Sequence, residues 1–227
     1  MIAPVLLGQA FSVRRKVQVL PEAEGPRQGR AGTGPQLRLL VIGDSSAAGV
    51  GADHQDQALL GQLVRRLSPH FTVDYTLLAQ TGARTQDALA WLAQVEGPID
   101  LVVTAVGVND VTKATPLGRF LGGQADLWHR LRHDHGAQQI LVSGIPPVGL
   151  FPALPQPLRW VVGERARDFS AALVQLAEQT SGVEHVGFDA EFVAEEMASD
   201  GFHPGPAVYD KWAAALVGRM RLAHGSA

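Results

Sequence analysis

The sequence lacks cysteine entirely across its 227 residues. That excludes a disulfide framework, a thiolate nucleophile, and cysteine-ligated zinc or iron–sulfur centres. It says nothing of compartment, because cysteine-free chains suit reducing and oxidising surroundings alike. Charge of one sign is also lacking: 19 Lys and Arg stand against 22 Asp and Glu, a formal net charge of -3. No basic excess is available to neutralise phosphates, so no nucleic-acid partner is expected. No apolar run reaches ~18 residues, the length an ordinary membrane-spanning helix needs. Aromatic residues are few, at 6%, yet 46% of the chain is hydrophobic. Disorder of the whole chain is thereby excluded. At ~150 residues per domain, the length suits one large domain. A core of that size needs no covalent staple.

The first 36 residues differ in composition from the rest. Residues 1–11 are mostly apolar, and Arg14, Arg15 and Lys16 follow them. A secretory signal has its positive charge before the apolar stretch, not after it. The order here argues against secretion and for a cytoplasmic protein. A short apolar end followed by cations also suits peripheral contact with a membrane interface. Packing on its own domain or on a partner is the plainer alternative. We therefore divide the chain into an apolar and basic segment over 1–20, a linker over 21–36, and a globular domain over 37–227. Residues 21–36 are rich in Pro, Gly and charge, which is linker composition.

From residue 37 onward, strand and helix signals alternate. Short apolar runs at 37–42, 71–78, 99–106, 140–145 and 183–188 read as strands. Helical spacing or capping marks helices over 58–67, from Thr85 through 91–95, over 117–133, within 158–179 and over 207–222. Pro206 sits where the last of these would begin. Such alternation means a parallel sheet with helices on both faces. Sites on such sheets form at the carboxyl ends of the strands.

Four short motifs fall at those places. Gly43-Asp44-Ser45 directly follows the first strand, where a serine at a strand-to-helix turn is presented at the sheet's edge. Gln80-Thr81-Gly82-Ala83 follows the second strand, and its glycine offers a bare backbone N–H. Gly107-Val108-Asn109-Asp110 follows the third, and an Asn amide is a neutral donor suited to a developing oxyanion. Asp200-Gly201-Phe202-His203-Pro204 precedes the last helix, with a carboxylate three residues from an imidazole. Each alone is also explained by turns or helix caps. Together they supply a nucleophile, donors for an oxyanion, and a base with its orienting carboxylate, the parts that acyl transfer needs.

With these four blocks in this order, the chain from residue 37 to about 222 resembles the SGNH hydrolases, also called GDSL esterases and lipases. Ser46 departs from the family name, which has Leu at that place. The resemblance implies a three-layer α/β/α sandwich with a five-stranded parallel sheet, flavodoxin-like in order. It implies Ser45 as nucleophile, His203 as general base and Asp200 as its partner. It also implies an oxyanion hole from the Ser45 N–H, the Gly82 N–H and the Asn109 side chain. The expected activity is hydrolysis of carboxylic esters, small molecules with short to medium acyl chains. Thioesterase, lysophospholipase or acyltransferase chemistry would use the same site.

The apolar, proline-stiffened segment after the fourth strand supplies Leu150, Phe151, Leu154 and Trp160 as candidate substrate-binding residues. They suit the core of the next helix equally well. His129 and His133 have i, i+4 spacing, but no Glu follows as in a zincin motif, so neither metal nor cofactor is expected. Gly49-Val50-Gly51 is half a dinucleotide fingerprint without its third glycine. Oligomeric state and the natural ester are not written in the sequence.

Overall fold

Each buried apolar run becomes a strand, and the strands join side by side. The computed structural model describes residues 3–16, 18–151, 153–187 and 196–221. Its strands are β1 (Gln28–Ala31), β2 (Gln36–Gly43), β3 (Thr72–Ala79), β4 (Leu101–Ala105), β5 (Gln139–Ser143) and β6 (Val183–Val186). They form one sheet in the order β1-β3-β2-β4-β5-β6. Strands β2 to β6 are mutually parallel, while β1 runs antiparallel to β3. The helices are α1 (Ala3–Lys16), α2 (Leu59–Leu67), α3 (Thr85–Trp91), α4 (Val108–Thr112), α5 (Leu117–His133), α6 (Leu158–Glu178) and α7 (Pro206–Val217).

The sheet separates two apolar layers, because successive side chains of a strand point to opposite faces. Leu39 and Val41 of β2 enter one layer, which α2 and α7 cover with Leu59, Leu63, Trp212 and Leu216. Leu40 and Ile42 enter the other, covered by α5 and α6 through Leu127, Trp128, Phe169 and Leu173. Both faces of the central strands are thus dry, which is why they read as unbroken apolar runs. Pro206 takes the first helical position of α7, as expected. Arg65 and Arg66 in the last turn of α2 clamp Asp210 of α7 at 2.5 and 3.0 Å.

Two expectations need correction. The sheet has six strands rather than five, because the segment read as a linker supplies β1. Its side chains are mostly exposed, so no apolar pattern betrays it. It is held instead by backbone pairing and by Arg30, whose guanidinium grips Asp74 of β3 at 2.5 and 3.0 Å. Ala23 is buried in the core, and its N–H donates to the Ala48 carbonyl at 3.2 Å. The folded unit therefore starts near residue 22, not residue 37. Smaller differences lie at element ends. Helix α3 passes into a single 3-10 turn over Leu92–Gln94. The fifth expected strand and the last expected helix extend, at Phe188 and Leu222, outside the described residues, as does Met1 at the start of the N-terminal segment.

Candidate active site

Strand order brings the motifs together. Because β2 lies between β3 and β4, the loops leaving the three carboxyl ends are neighbours. They carry Ser45, Gly82 and Asn109 respectively. The loop before α7 returns over the same edge with Asp200 and His203. Its approach requires glycine at position 51, where φ is +99° and a Cβ would lie 2.2 Å from the Pro204 carbonyl oxygen. Gly49 has φ of +87°, and a Cβ there would lie 2.7 Å from the Cβ atoms of Ala23 and Ala58, so close packing explains both glycines of the half-fingerprint.

Ser45, His203 and Asp200 form a hydrogen-bonded line. Ser45 Oγ is 2.9 Å from His203 Nε2, and His203 Nδ1 is 2.5 Å from Asp200 Oδ2. The other carboxylate oxygen, Oδ1, accepts the backbone N–H groups of Phe202 and His203 at 2.9 and 3.0 Å. The Asp200 side chain is only 1% exposed, whereas that of His203 is 23% exposed. Burial opposes ionisation of Asp200, but the bonds from the His203 ring and the two N–H groups outweigh it. Its pKa is lowered, so it is a carboxylate at neutral pH. A buried anion beside Nδ1 favours the tautomer with a proton there and leaves Nε2 as the acceptor facing Ser45.

The residues expected as oxyanion donors surround the serine loop. Neither the Ser45 nor the Gly82 backbone N–H has a protein acceptor among the described residues. Gly82 has φ of +82°, a conformation that side chains strain to adopt. The Asn109 amide donates to the Ala83 carbonyl at 3.0 Å, and its other contact, Asp44 Oδ2, is at the weak limit of 3.5 Å.

Supports behind these donors were not visible in sequence. The Asp110 carboxylate accepts both the N–H and the hydroxyl of Thr85, at 3.0 and 2.9 Å. Thr85, expected as a helix cap, is instead the first residue of α3, and its hydroxyl serves the carboxylate after β4. Gln124 of α5 donates to the same hydroxyl at 3.1 Å. Glu22, within the segment read as a linker, accepts the N–H and hydroxyl of Thr81 at 2.6 and 2.8 Å. It also pairs with Arg27 at 2.6 Å. Burial alone would raise its pKa, yet these donors lower it.

Asp44 has a different electrostatic state from Asp200. It is 3% exposed, and burial raises its pKa from 3.8 to about 7. The Asp110 charge adds to the rise, and the Ser46 N–H donated to its Oδ1 at 3.0 Å opposes it.

A narrow, mainly apolar cavity of about 40 Å³ adjoins the motifs. Asp44, Ser46, Val108, Phe202 and Pro204 border it on the motif side. Of the candidate substrate-binding residues, Phe151 lines this cavity, edge-to-face with Phe202 at 5.8 Å between centroids. Leu154 packs against the core under α5 and α6. Leu150 and Trp160 do not line it: they are 68% and 59% exposed. A 3-10 turn over Val148–Leu150 buries Val148 and turns Leu150 outward. Helix α6 buries Gly163, Ala166 and Phe169, which leaves Trp160 on its outer side. The cavity uses Ile145, Met197 and Trp212 instead. Ile145, two residues beyond β5, was the one whose position in sequence gave a signal.

Comparison with known proteins agrees with this architecture. Residues 41–211 match the model of the GDSL-like Lipase/Acylhydrolase family. The chain is 28% identical over 199 residues to the GDSL-like esterase Rv1075c of Mycobacterium tuberculosis. That match covers 79% of this chain and 62% of the relative, so the chain spans less than two thirds of that protein. Phospholipase A1 from Streptomyces albidoflavus superposes with a TM-score of 0.66 at 18% identity, covering 81% of this chain and 99% of that one. The psychrotrophic esterase EstA from Pseudoalteromonas, in a structure inhibited by monoethylphosphonate, gives 0.59 at 19% identity, covering 80% and 94%.

Proposed function

Because the chain belongs to the GDSL-like lipase/acylhydrolase family, we propose that it hydrolyses carboxylic esters of short to medium acyl chain through an acyl-enzyme on Ser45. The carrying observation is the line from Ser45 Oγ through His203 to the buried Asp200 carboxylate. Neutral His203 takes the Ser45 proton at Nε2 as Oγ bonds to the ester carbonyl carbon. Negative charge passes to the carbonyl oxygen and is met by the Ser45 N–H, the Gly82 N–H and Asn109. The imidazolium, stabilised by Asp200, gives its proton to the leaving alkoxy oxygen as the C–O bond breaks. A water then gives a proton to His203, attacks the acyl carbon, and releases the acid with Ser45 restored.

The narrow apolar cavity supports a limited acyl length. Thioester hydrolysis and acyl transfer would use the same atoms with another leaving group or acceptor. The test is hydrolysis of p-nitrophenyl esters from acetate to laurate by wild type, Ser45→Ala and Ser46→Ala. We expect activity to vanish only in Ser45→Ala and to peak within the series. Activity that survives in Ser45→Ala, or a folded wild type that hydrolyses none of the esters, would sink the proposal.

A further inference from the structure

Helix α1 half-buries Leu6, Gln9, Ser12 and Val13 and leaves its other large apolar side chains outside the fold. Two hydrogen bonds tie it to the body: Gln9 donates to the Gln156 carbonyl at 2.6 Å and accepts the Leu158 N–H at 3.1 Å. Its apolar side chains Val5, Leu7 and Phe11 face solvent at 50%, 72% and 62% exposure. A helix in water normally buries such side chains against its own domain.

The remaining large exposed apolar side chains among the described residues are Val19, Leu150 and Trp160. All of them lie on the N-terminal segment or on the segment from residue 150 to α6, the two that Gln9 joins. Scattered exposed apolar residues would need no explanation, whereas confinement to two linked segments does.

Charge identifies the occupant. No Asp or Glu occurs between residues 1 and 21 or between 150 and 163, while Arg14, Arg15, Lys16 and Arg159 do. The Arg15 guanidinium lies 5.4 Å from the Phe11 ring centroid, so a cation stands beside an exposed apolar group. The next acid, Glu164, is paired with Arg167. This local excess is opposite in sign to the chain's net charge of -3. Apolar side chains that enter the acyl boundary, with cations at headgroup level, are what binds an anionic lipid surface. Among the described residues no helix is long and apolar enough to cross a membrane.

We propose that α1 and the segment leading into α6 form one face that docks on an anionic lipid bilayer. The groove between α1 and the catalytic loop, lined by Gln9, Ser12, Pro155 and Asp200, then lies beside the lipid. The docking does not depend on the ester chemistry.

The test is co-sedimentation of the full chain with phosphatidylcholine vesicles and with vesicles of phosphatidylcholine and phosphatidylglycerol in equal parts. Binding to the mixed vesicles should exceed binding to the neutral ones by about tenfold at low salt, and should fall as salt screens the charge. The double variant Leu7→Glu/Phe11→Glu should lose binding, with an unchanged thermal midpoint because both side chains are exposed. A second variant, Arg14→Gln/Arg15→Gln/Lys16→Gln, keeps the apolar side chains and should lose the preference for anionic lipid. Tryptophan fluorescence should shift to the blue with mixed vesicles, and that shift should disappear in Trp160→Phe. Absence of wild-type binding, or equal binding by the Leu7/Phe11 double variant, would overturn the proposal. A wild-type dimer that this variant splits, without vesicle binding, would overturn it in favour of a second copy of the chain.

Discussion

Replacing Asp44 with asparagine should make the protein more stable at alkaline pH than at acid pH, relative to wild type. In the folded chain the Asp44 carboxyl is raised from 3.8 to about 7, chiefly because burial strips the charged form of water. Between those values the fold holds a proton that the unfolded chain releases. Its stabilising contribution is full below about pH 4 and is lost as pH rises through 7. At 1.36 kcal/mol per pH unit, the interval sets a ceiling of about 4 kcal/mol on the loss by pH 8. Asparagine carries no charge at any of these pH values, and its carbonyl oxygen can still accept the Ser46 N–H. The weak Asn109 contact at 3.5 Å is all that the exchange puts at risk. That contact changes stability by about 1 kcal/mol or less, in a nearly pH-independent way. Urea unfolding of both proteins from pH 4 to 8.5 reads the difference directly, provided the slopes match. The stability gap should widen in favour of Asp44→Asn by roughly 2–4 kcal/mol across that range. A gap that stays flat with pH would refute a neutral Asp44 in the fold.

Other substitutions test the site's separate parts. Asn109→Ala should lower kcat by about 10²–10³, and should cost only about 1 kcal/mol of stability through the lost bond to Ala83; steady-state kinetics and thermal melting measure the two. Glu22→Ala removes the acceptor that holds Thr81 and should lower kcat about ten- to hundredfold through misplacement of the Gly82 loop. Its KM should change little, and Glu22→Gln should recover part of the rate. Phe151→Ala opens the cavity, so kcat/KM for laurate should rise about tenfold relative to acetate. The same change should destabilise the fold by roughly 3 kcal/mol.

What was legible in the sequence follows from what is local. Strands β2 and β4 are covered on both faces, so 37–42 and 99–106 announce themselves as apolar runs. Helix α5 matches 117–133 because its apolar residues recur at helical spacing. Strand β1 is silent because backbone pairing and Arg30–Asp74 hold it, and neither leaves an apolar pattern. The four motifs were readable because each sits at a strand end or before a helix, where chain order alone predicts proximity. Glu22 was not, since its partner Thr81 lies 59 positions away. That Leu150 and Trp160 lie off the cavity was not legible, because composition tells that a loop is apolar, not which side of it meets the cavity. Asp44 shows the same limit, since its raised pKa arises chiefly from the burial that the assembled fold creates.

The separation of 158 positions from Ser45 to His203 has a kinetic consequence. Ser45 follows β2 in the chain, whereas His203 comes only after every strand of the sheet has been made. Parallel pairings of this kind form slowly, because distant segments must meet before contacts repay the closure. A nascent or truncated chain that stops after β6 carries Ser45 but lacks His203, the acceptor proposed for its proton. Turnover is therefore a late reporter of refolding, and its recovery should lag behind the return of helical signal.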